Sequence, residues 1–387
     1  MPNVPPLRFP EFSGEWGKCT LGEIMSYSKD RVPSNTLTDD NYVSTENMLP
    51  QFGGIYRAQN APSNGSAIAY QKGDTLLSNI RPYLKKVWLA NNNGGCSADV
   101  FVLKSVNEKC NSDFLYYLVA NDNFISYVMN GAKGVKMPRG DKEQIKKYQL
   151  SIPSKKEQCK ITELLSKLDQ RIATQIRVIE DLQTLKKAIS TQLLYEGSLK
   201  DIISLAELGT LKNGYAFKSS TYCENGNYNI ITIANVTGER YVSADCNRVL
   251  DQPCDIQEHQ LLKENDILIS LTGNVGRVSL NKGTCNLLNQ RVGLFELRDN
   301  SLREYIFQVL STPQFESAMK NKGQGAAQMN IGKYDIEEYH IPYSIDHNEL
   351  LKISEILSLF DSKILMENKL LQLFTQQKTF LLQKMFI

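Results

Sequence analysis

Two long stretches of the chain place apolar residues at steps of three, four or seven, the spacing of a coiled-coil seam. The first seam comprises Ile161, Leu165, Leu168, Ile172, Ile176, Ile179, Leu182, Ile189 and Leu193, and only Lys186 interrupts it. The second comprises Ile353, Leu357, Phe360, Ile364, Leu371, Phe374, Leu381 and Met385, and is interrupted by Asn368 and Lys378. Each stretch predicts a helix of about 36–40 residues, roughly 55 Å long.

The start of the first seam is repeated in the second. Residues 160–172 read KITELLSKLDQRI and residues 352–364 read KISEILSLFDSKI, with seven of thirteen positions identical. The shift between the two copies is 192 residues, about half of the chain. An internal repeat of this size indicates two related halves.

Both helices also have matching start signals. Ser154 and Glu157 have the spacing of a capping box, in which each side chain bonds the backbone amide of the other residue. Asp346 and Glu349 repeat that spacing at the same shift along the chain. Gly197 is a typical helix stop, so the first helix is expected to end there.

A helix of this length with one apolar stripe has to bury that stripe. Each helix could pack on its own globular half, or the two could pack on each other as a coiled coil. The second arrangement is favoured because both helices carry the same seam over the same length. Antiparallel pairing would relate the two halves by a pseudo-two-fold axis.

The regions before the helices repeat only at landmarks. GDTLLS at 73–78 and NDILIS at 265–270 predict buried strands, while DFLYYLV at 113–119 and EYIFQVL at 304–310 predict amphipathic helices. Glycine-led loops at 131–153 and 323–342 each end in a short strand before a long helix. The predicted fold class is α+β: two globular α/β domains joined by two long antiparallel helices that form a coiled coil.

The predicted boundaries follow from these landmarks. They are 1–153 for the first domain, 154–197 for a central spacer helix, 198–345 for the second domain and 346–387 for a C-terminal spacer helix.

Composition narrows the class of protein only slightly. The net charge of +2 does not indicate a polyanion partner, and residues 201–347 have 13 basic against 18 acidic side chains. Any nucleic-acid-binding face must therefore be local. The eight scattered cysteines suit a reducing cytoplasm, and neither a signal sequence nor a run long enough to span a bilayer is apparent.

No catalytic motif accompanies this organisation. The chain has no Walker loop and no Gly-x-Ser-x-Gly elbow. Cys246, Cys254 and His259 form only a weak metal pattern, and buried reduced thiols are the better interpretation, so no metal site is predicted. A binding protein is favoured over an enzyme.

Three segments resemble Type I restriction–modification specificity subunits. They are VPPLRFPEFSGEWGKCTLGEI at 4–24, PSKKEQCKITELLSKLD at 153–169 and GAAQMNIGKYDIEEYHIP at 325–342. The resemblance covers nearly the whole chain, in the order domain, helix, domain, helix. It implies a non-catalytic subunit with two target-recognition domains, each reading half of a bipartite site in double-stranded DNA.

The resemblance also implies partners. The helix pair would set the gap between the half-sites and dock two modification (methyltransferase) subunits, and two restriction subunits would join them. S-adenosylmethionine, ATP and Mg are expected on those partner subunits, with no cofactor on this chain and no membrane association.

Candidate DNA-contacting residues lie in four loops. Arginine and lysine can pair with guanine or phosphate, and asparagine and glutamine can pair with adenine. The candidates are Asn79, Arg81, Lys85, Lys86, Lys133, Lys136 and Arg139 in the first domain and Thr272, Asn274, Arg277, Gln324, Gln328, Asn330 and Lys333 in the second. Gly131 and Gly134 are expected to let the backbone approach phosphate.

Two other interpretations remain open at this stage. A structural adaptor would use the coiled coil to bind protein partners without DNA, and a stand-alone enzyme, such as a methyltransferase, would act without partners. The aromatic residues between 114 and 127 are interpreted as core in preference to a base-stacking platform.

Overall fold

The computed structural model of the chain describes residues 3–106, 108–134, 136–199, 201–323 and 329–387. The chain divides into two compact units: unit 1 is residues 1–175 with 370–387, and unit 2 is residues 176–369. Both long helices are present, at Lys155–Tyr195 and His347–Met385. The division assigns part of each helix to each unit, whereas the predicted boundaries keep the helices separate; those boundaries stay a prediction.

Unit 1 is built from short strands and helices that precede the first long helix. Their order is β1 Gly17–Thr20, α1 Leu21–Ile24, β2 Met25–Tyr27, β3 Arg31–Pro33, β4 Tyr42–Val43, β5 Ser66–Tyr70, β6 Thr75–Ser78, β7 Val87–Leu89, β8 Gly94–Cys96, β9 Val100–Ser105, α2 Ser112–Val119, α3 Asp122–Asn130, α4 Lys142–Lys146, β10 Gln149–Ile152 and α5 Lys155–Tyr195. Short 3-10 turns lie at Ser34–Thr36 and Pro82–Leu84.

Unit 2 has a similar succession. Its order is β11 Asp201–Ser204, α6 Leu205–Leu208, β12 Gly209–Asn213, β13 Tyr228–Ile231, β14 Asn247–Val249, β15 Leu261–Leu262, β16 Ile267–Ser270, β17 Val278–Leu280, β18 Asn286–Leu288, β19 Val292–Leu297, α7 Arg303–Leu310, α8 Pro313–Lys322, α9 Lys333–Glu337, β20 His340–Tyr343 and α10 His347–Met385. Further 3-10 turns lie at Ser219–Thr221, Glu258–Gln260 and Asn300–Leu302.

The two units repeat the same sheet plan. An antiparallel sheet of order β2-β9-β6-β7 in unit 1 has its counterpart in β12-β19-β16-β17 in unit 2. A second sheet, β3-β5-β8-β4 or β14-β13-β18-β15, contains one parallel pair in each unit. A two-stranded ladder, β1-β10 or β11-β20, leads into the long helix. The architecture is therefore repeated where the sequence repeat is weak.

The long helices pair antiparallel in each unit. In unit 1, Ile161 and Leu165 near the start of α5 pack in one core cluster with Leu382 and Met385 near the end of α10. In unit 2, Leu194 near the end of α5 shares a cluster with Leu350 and Ile353 near the start of α10. Both clusters also include globular residues, so each helix packs on its partner helix and on its unit together.

The predicted seam departs from the structure at two positions. Ile176 was predicted in the seam but is exposed, and Gln175 is buried in its place. Asn368 was assigned to the second seam but is exposed, and the neighbouring Glu367 is buried. The step of four from Ile172 to Ile176 was misleading, because the buried residue is Gln175, which follows Leu168 by seven positions. The eight seam residues of the repeated phrases are buried or half-buried: Ile161, Leu165, Leu168, Ile172, Ile353, Leu357, Phe360 and Ile364.

The first predicted capping box is only half formed, and in the second the Asp346 carboxylate accepts from the amide of Asn348 and not from that of Glu349. The amide of Glu157 donates to Ser154 Oγ at 3.4 Å, but the Glu157 carboxylate accepts two bonds from Arg8, at 2.7 and 2.8 Å. Glu349 similarly accepts a bond from the Ser198 hydroxyl instead of reaching back to the cap. Both glutamates hold a segment that is distant in sequence, which local spacing alone does not reveal. The first helix ends at Tyr195, two residues before Gly197.

Candidate nucleic-acid interface

The loop that follows the buried strand β6 carries four of the candidate residues in unit 1. Arg81 and Lys85 lie on either side of the 3-10 turn Pro82–Leu84, with φ angles of 50° and 55°. Residues other than glycine rarely adopt this left-handed region, so the surrounding structure has to hold the loop in shape. Arg81 is exposed, while Asn79, Lys85 and Lys86 are half-buried.

The glycine-led loop meets this first loop through the backbone. The Arg81 amide donates to the Pro138 carbonyl at 2.9 Å, and the Gly140 amide donates to the Asn79 carbonyl at 3.2 Å. Lys133 and Arg139 also exchange two backbone hydrogen bonds of 2.9 Å. Two segments that are distant in sequence therefore form one surface, which we call the unit 1 loop pair (79–86 and 131–140).

Acidic neighbours occupy several basic groups of the unit 1 loop pair. Lys85 pairs with Asp122 at 2.8 Å, Lys133 with Asp141 at 2.6 Å, and Arg139 with Asp99 at 3.4 Å. Arg81 and Lys136 are exposed, and neither makes an ion pair among the described residues. These two side chains are the most available to an external anion.

The ionisation of two groups reflects these contacts. The hydrogen bond from Lys133, with two backbone amides, lowers the pKa of Asp141 to about 2. Burial lowers the pKa of Lys86, whose Nζ donates to the Thr45 carbonyl at 2.6 Å. Lys86 is therefore committed to the unit's own backbone more than the other lysines of the loop pair.

Gly131 and Gly134, two glycines of the unit 1 loop pair, differ in why glycine suits the position. Gly134 has a φ of +96°, which only glycine adopts easily. A Cβ at Gly131 would lie 2.2 Å from the end of the Gln144 side chain, which would have to move and lose its hydrogen bond to the Tyr127 carbonyl.

Unit 2 contains the corresponding arrangement. The loop after β16 pairs with the segment after residue 328 through a bridge between Thr272 and Asn330. The Gly273 amide donates to the Met329 carbonyl at 3.2 Å, and the Ile331 amide donates to the Leu271 carbonyl at 2.9 Å. We call residues 271–277 with 329–333 the unit 2 loop pair.

The side chains of the unit 2 loop pair differ from those of unit 1. Asn274 and Asn330 are exposed amides, whereas Arg277 lies 3.8 Å from Glu316 and Lys333 lies 3.5 Å from Glu337. The remaining second-domain candidates Gln324 and Gln328 lie outside the described residues. The two units thus present the same backbone frame with different donors and acceptors.

Each loop pair contains a buried oxygen that lacks a partner. Within the described structure, Asn79 Oδ1 in unit 1 and Thr272 Oγ1 in unit 2 take part in no hydrogen bond. An unpaired buried polar atom is costly, so each of these oxygens marks a point where the described residues do not fully satisfy the loop pair.

Sequence reasoning missed the exposed apolar residues of the loop pairs and their edges. Tyr83 and Met137 are exposed in unit 1, and Met329 and Tyr334 are exposed in unit 2. Aromatic rings between basic or amide residues can stack on bases. The signal was available in RPYLKK and in GKYD, where a tyrosine stands close to lysine.

The aromatic residues of α2 and α3 were predicted to be core; Tyr116 and Tyr127 are only half-buried, and the other three agree with the prediction. Phe114, Tyr117 and Phe124 are nearly fully buried in the main cluster of unit 1.

No helix in the described ranges is both long and apolar enough to cross a membrane. The same ranges contain no group of three or more His, Cys, Asp or Glu side chains placed to hold a metal ion.

Comparison with known proteins points to one family. Residues 13–183 and 198–376 each match the Type I restriction modification DNA specificity domain. The Type I restriction enzyme MjaVIII specificity subunit of Methanocaldococcus jannaschii is 22% identical over 94% of this chain and 89% of that protein. The Type I restriction enzyme EcoDI specificity subunit of Escherichia coli is 27% identical over 26% of this chain and 22% of that protein.

Solved structures show the same fold. The S subunit of a Type I restriction–modification system from M. genitalium superposes with a TM-score of 0.62 at 17% identity, covering 99% of both chains. A chain from a study of complex assembly and conformational transition of the type I R-M system gives 0.57 at 17% identity, covering 95% of this chain and 97% of the other. Since the two family matches together span most of the sequence, with one in each half, this chain belongs to the Type I restriction–modification DNA specificity family.

Proposed function

We propose that the chain is the DNA sequence-specificity subunit of a Type I restriction–modification complex. Each unit would read one half of a bipartite site, and the helix pair would set the gap between the halves. The observation that carries the proposal is the repeated loop pair: one backbone frame, present in both units, with different polar side chains on it.

The side chains of the loop pairs suit two tasks. Arg81 and Lys136 are exposed cations that can bind phosphate or guanine, while Asn274 and Asn330 are exposed amides that can pair with adenine. A pair of readers that differ in this way would recognise unlike half-sites. Gln324 and Gln328 remain proposed contacts on the same grounds as at the sequence level.

The long helices suit a spacer. Helix α5 has 41 residues and is therefore about 60 Å long, while half-sites on one face of a duplex recur about every 34 Å. Because both helices are stiff and paired in each unit, they can hold a separation that flexible loops cannot.

The outer face of α10 suits a protein partner. Four large apolar side chains of this helix are 53–65% exposed. They form two pairs with a spacing of seven residues: Leu359 and Met366 in unit 2, and Leu373 and Phe380 in unit 1. A regularly spaced apolar stripe on a helix is the pattern of a helix–helix interface. We assign it to a helix of the modification subunit, of which two copies would bind, followed by two restriction subunits.

The chain itself would be non-catalytic. The modification subunits would supply S-adenosylmethionine and methyl transfer, and the restriction subunits would use ATP and Mg. This chain's part is to bind DNA and to place the partner enzymes.

A gel shift across a salt series tests the DNA-binding function. The chain, assembled with its modification subunits, is expected to bind one bipartite duplex selectively, with affinity that falls as salt rises. The same duplex with a lengthened gap is the control and should bind weakly. Assembly with partners but no selective DNA binding at any salt would favour the protein adaptor instead.

Two variants test the docking surface. Leu359→Glu with Met366→Glu should leave the thermal unfolding midpoint unchanged and weaken association with the modification subunit, measured by analytical ultracentrifugation. Asn368→Glu adds a charge at an exposed position on another side of the same helix and should have no effect. Equal weakening of association by the double variant and by Asn368→Glu would count against the stripe.

Transfer of a labelled methyl group to DNA by the isolated chain would contradict the non-catalytic role.

A further inference from the structure

Two lysines stand in the seams, one on each helix. Lys186 Nζ lies 2.5 Å from Asp361 Oδ1 in unit 2, and Lys378 Nζ lies 2.6 Å from Asp169 Oδ1 in unit 1. Both lysine side chains are largely buried, with 18% and 17% exposed. The two lysines are related by the shift of the internal repeat, and so are the two aspartates. One ion pair therefore occurs twice, with the roles of the two helices exchanged.

Each pair reports the helix register of its own unit. Along α5, Lys186 follows Asp169 by the same number of positions as Lys378 follows Asp361 along α10. Both pairs therefore obey the same antiparallel register, although each was established from contacts inside one unit.

Each aspartate also binds the globular part of its unit. Asp169 Oδ2 accepts a hydrogen bond from Tyr117 Oη on α2 at 2.7 Å. Asp361 Oδ2 accepts from Gln308 Nε2 on α7 at 2.7 Å and from Arg240 Nη1 at 3.1 Å. One carboxylate oxygen thus faces the other long helix, and the second faces the globular part. The alignment of the helices and the position of the globular part depend on the same side chain.

A buried ion pair is a poor source of stability, because desolvation offsets the attraction. Its better-attested use is to exclude wrong registers of a coiled coil. The apolar seam repeats every seven residues, so a slip by one heptad would preserve most apolar contacts. The same slip would leave each lysine buried without its carboxylate. It would also leave Asp169, which is 32% exposed, without a cation, whereas Asp361 additionally contacts Arg240.

We infer that Asp169 with Lys378 and Asp361 with Lys186 are positioning pairs that select one register of the helix pair. A slip of seven residues displaces one helix by about 10 Å, roughly three base-pair steps of a duplex. The step from register to half-site gap rests on the proposed function; the step from ion pair to register does not.

The decisive variant removes both pairs without creating a buried charge. Asp169, Lys378, Lys186 and Asp361 are all replaced by leucine in the full chain. Spin labels are placed at Gln170→Cys and Gln377→Cys, exposed positions of unit 1, after the six native cysteines that are not buried are changed to serine. The distance between the labels is measured by pulsed electron paramagnetic resonance, with the thermal unfolding midpoint recorded alongside.

The unmodified register should give one narrow distance. The all-leucine variant should remain folded, with a midpoint that also reflects the acceptor lost by Tyr117 and by Gln308, yet give additional distances displaced by heptad slips. A single distance in that variant would overturn the inference, whether or not its stability changes, because the register would then be set without the pairs.

Exchanging the two charges provides the matched rescue. Asp169→Lys alone places two lysines together and should broaden the distance distribution, whereas Asp169→Lys with Lys378→Asp should restore one distance. Unit 1 is chosen because Arg240, which contacts Asp361 in unit 2, would oppose a lysine at position 361. Failure of the double exchange to narrow the distribution would contradict the pairing.

The gap between half-sites is measured separately, by methylome sequencing of cells carrying the chain with its partners. The all-leucine variant should methylate sites with more than one gap length. Absence of bipartite methylation by the unmodified chain would defeat the proposed function while leaving the distance measurement intact. Several helix registers together with one unchanged gap length would show that the register does not set the gap between half-sites.

Discussion

At the scale of single residues, the loop pairs distinguish groups that share a chemical type. Lys86, Lys133 and Arg81 are all basic and close in one surface, but of these three only Arg81 is both exposed and without an ion pair in the described part of the chain. Lys86 is held by the Thr45 carbonyl and Lys133 by Asp141. Availability, and not charge, therefore ranks the candidates.

Arg81→Ala should weaken DNA binding by the assembled complex and reduce the salt slope by about 0.9, the value for one lost phosphate contact. If Arg81 reads guanine instead, the loss should be specific to one base position. Binding isotherms at several salt concentrations measure both effects. Arg171→Ala, which changes an exposed arginine of α5 in the same unit, is the control and should leave the slope unchanged.

The cysteines offer a test of burial that is independent of function. Burial raises the pKa of Cys96 and of Cys110 to about 12. A raised pKa keeps the thiol protonated below that value, so between pH 7 and pH 9 these two groups should not gain reactive thiolate. The exposed Cys159 should react faster with iodoacetamide over the same range, as measured by mass spectrometry. Comparable alkylation of Cys96 in the folded chain would contradict its placement.

At the scale of elements, the long helices are double-sided. Their seam residues contact both the partner helix and the globular part of a unit. This arrangement buries the seam of both helices, which have 41 and 39 residues, while other large apolar side chains such as Leu185 and Leu365 remain exposed. An introduced charge should therefore destabilise the chain at a seam position much more than at a nearby exposed position of the same helix.

Leu168→Asp should destabilise the chain by at least about 3 kcal/mol, because it removes a buried leucine and inserts an unpaired charge. Leu168 is 6% exposed, whereas Leu164, one turn earlier, is 36% exposed. Leu164→Asp is therefore the matched control and should cost much less. Denaturant unfolding compares the two; equal stabilities would argue against the seam.

At the scale of the whole molecule, two units of the same sheet plan carry unlike surfaces. The sheet orders and the loop-pair bridge recur, while the polar side chains on the loops do not. A shared frame with unlike surfaces is consistent with the proposed independent reading of two half-sites.

Exchange of residues 201–347 for the corresponding domain of another family member should change one half-site and leave the other unchanged. The reason is that the residues proposed to read each half-site lie within one unit. Methylome sequencing of cells with the partner subunits measures both halves. Alteration of both half-sites would mean that the units do not read independently.

Much of the element plan was predictable from local pattern. The strands β6 and β16, the helices α2 and α7 and both long helices lie where periodicity placed them. The errors at Ile176 and Asn368 are shifts of one position. In each case the residue fits the three-four spacing of the seam, but the buried residue is the one before it, Gln175 or Glu367. The capping glutamates Glu157 and Glu349 were misread because their partners, Arg8 and Ser198, are distant in sequence.

The candidate site was predictable only as separate loops. The family resemblance and the residue types indicated the segments around Arg81, Lys133, Thr272 and Asn330, but not that these segments meet in pairs. Tyr83 and Tyr334 were passed over, since an aromatic residue alone does not indicate whether it faces the core or solvent.

The sequence by itself determined the internal repeat, the two long helices and their common seam, because helical periodicity and identity at a fixed shift are local properties. Only the tertiary structure decided what the seam lysines do. Lys186 and Lys378 are interruptions when each helix is considered alone, and become ion-pair partners of Asp361 and Asp169 once the chain has folded. A buried charge is tolerable only beside its counter-charge, and that neighbour is supplied by the other long helix, from the opposite half of the sequence.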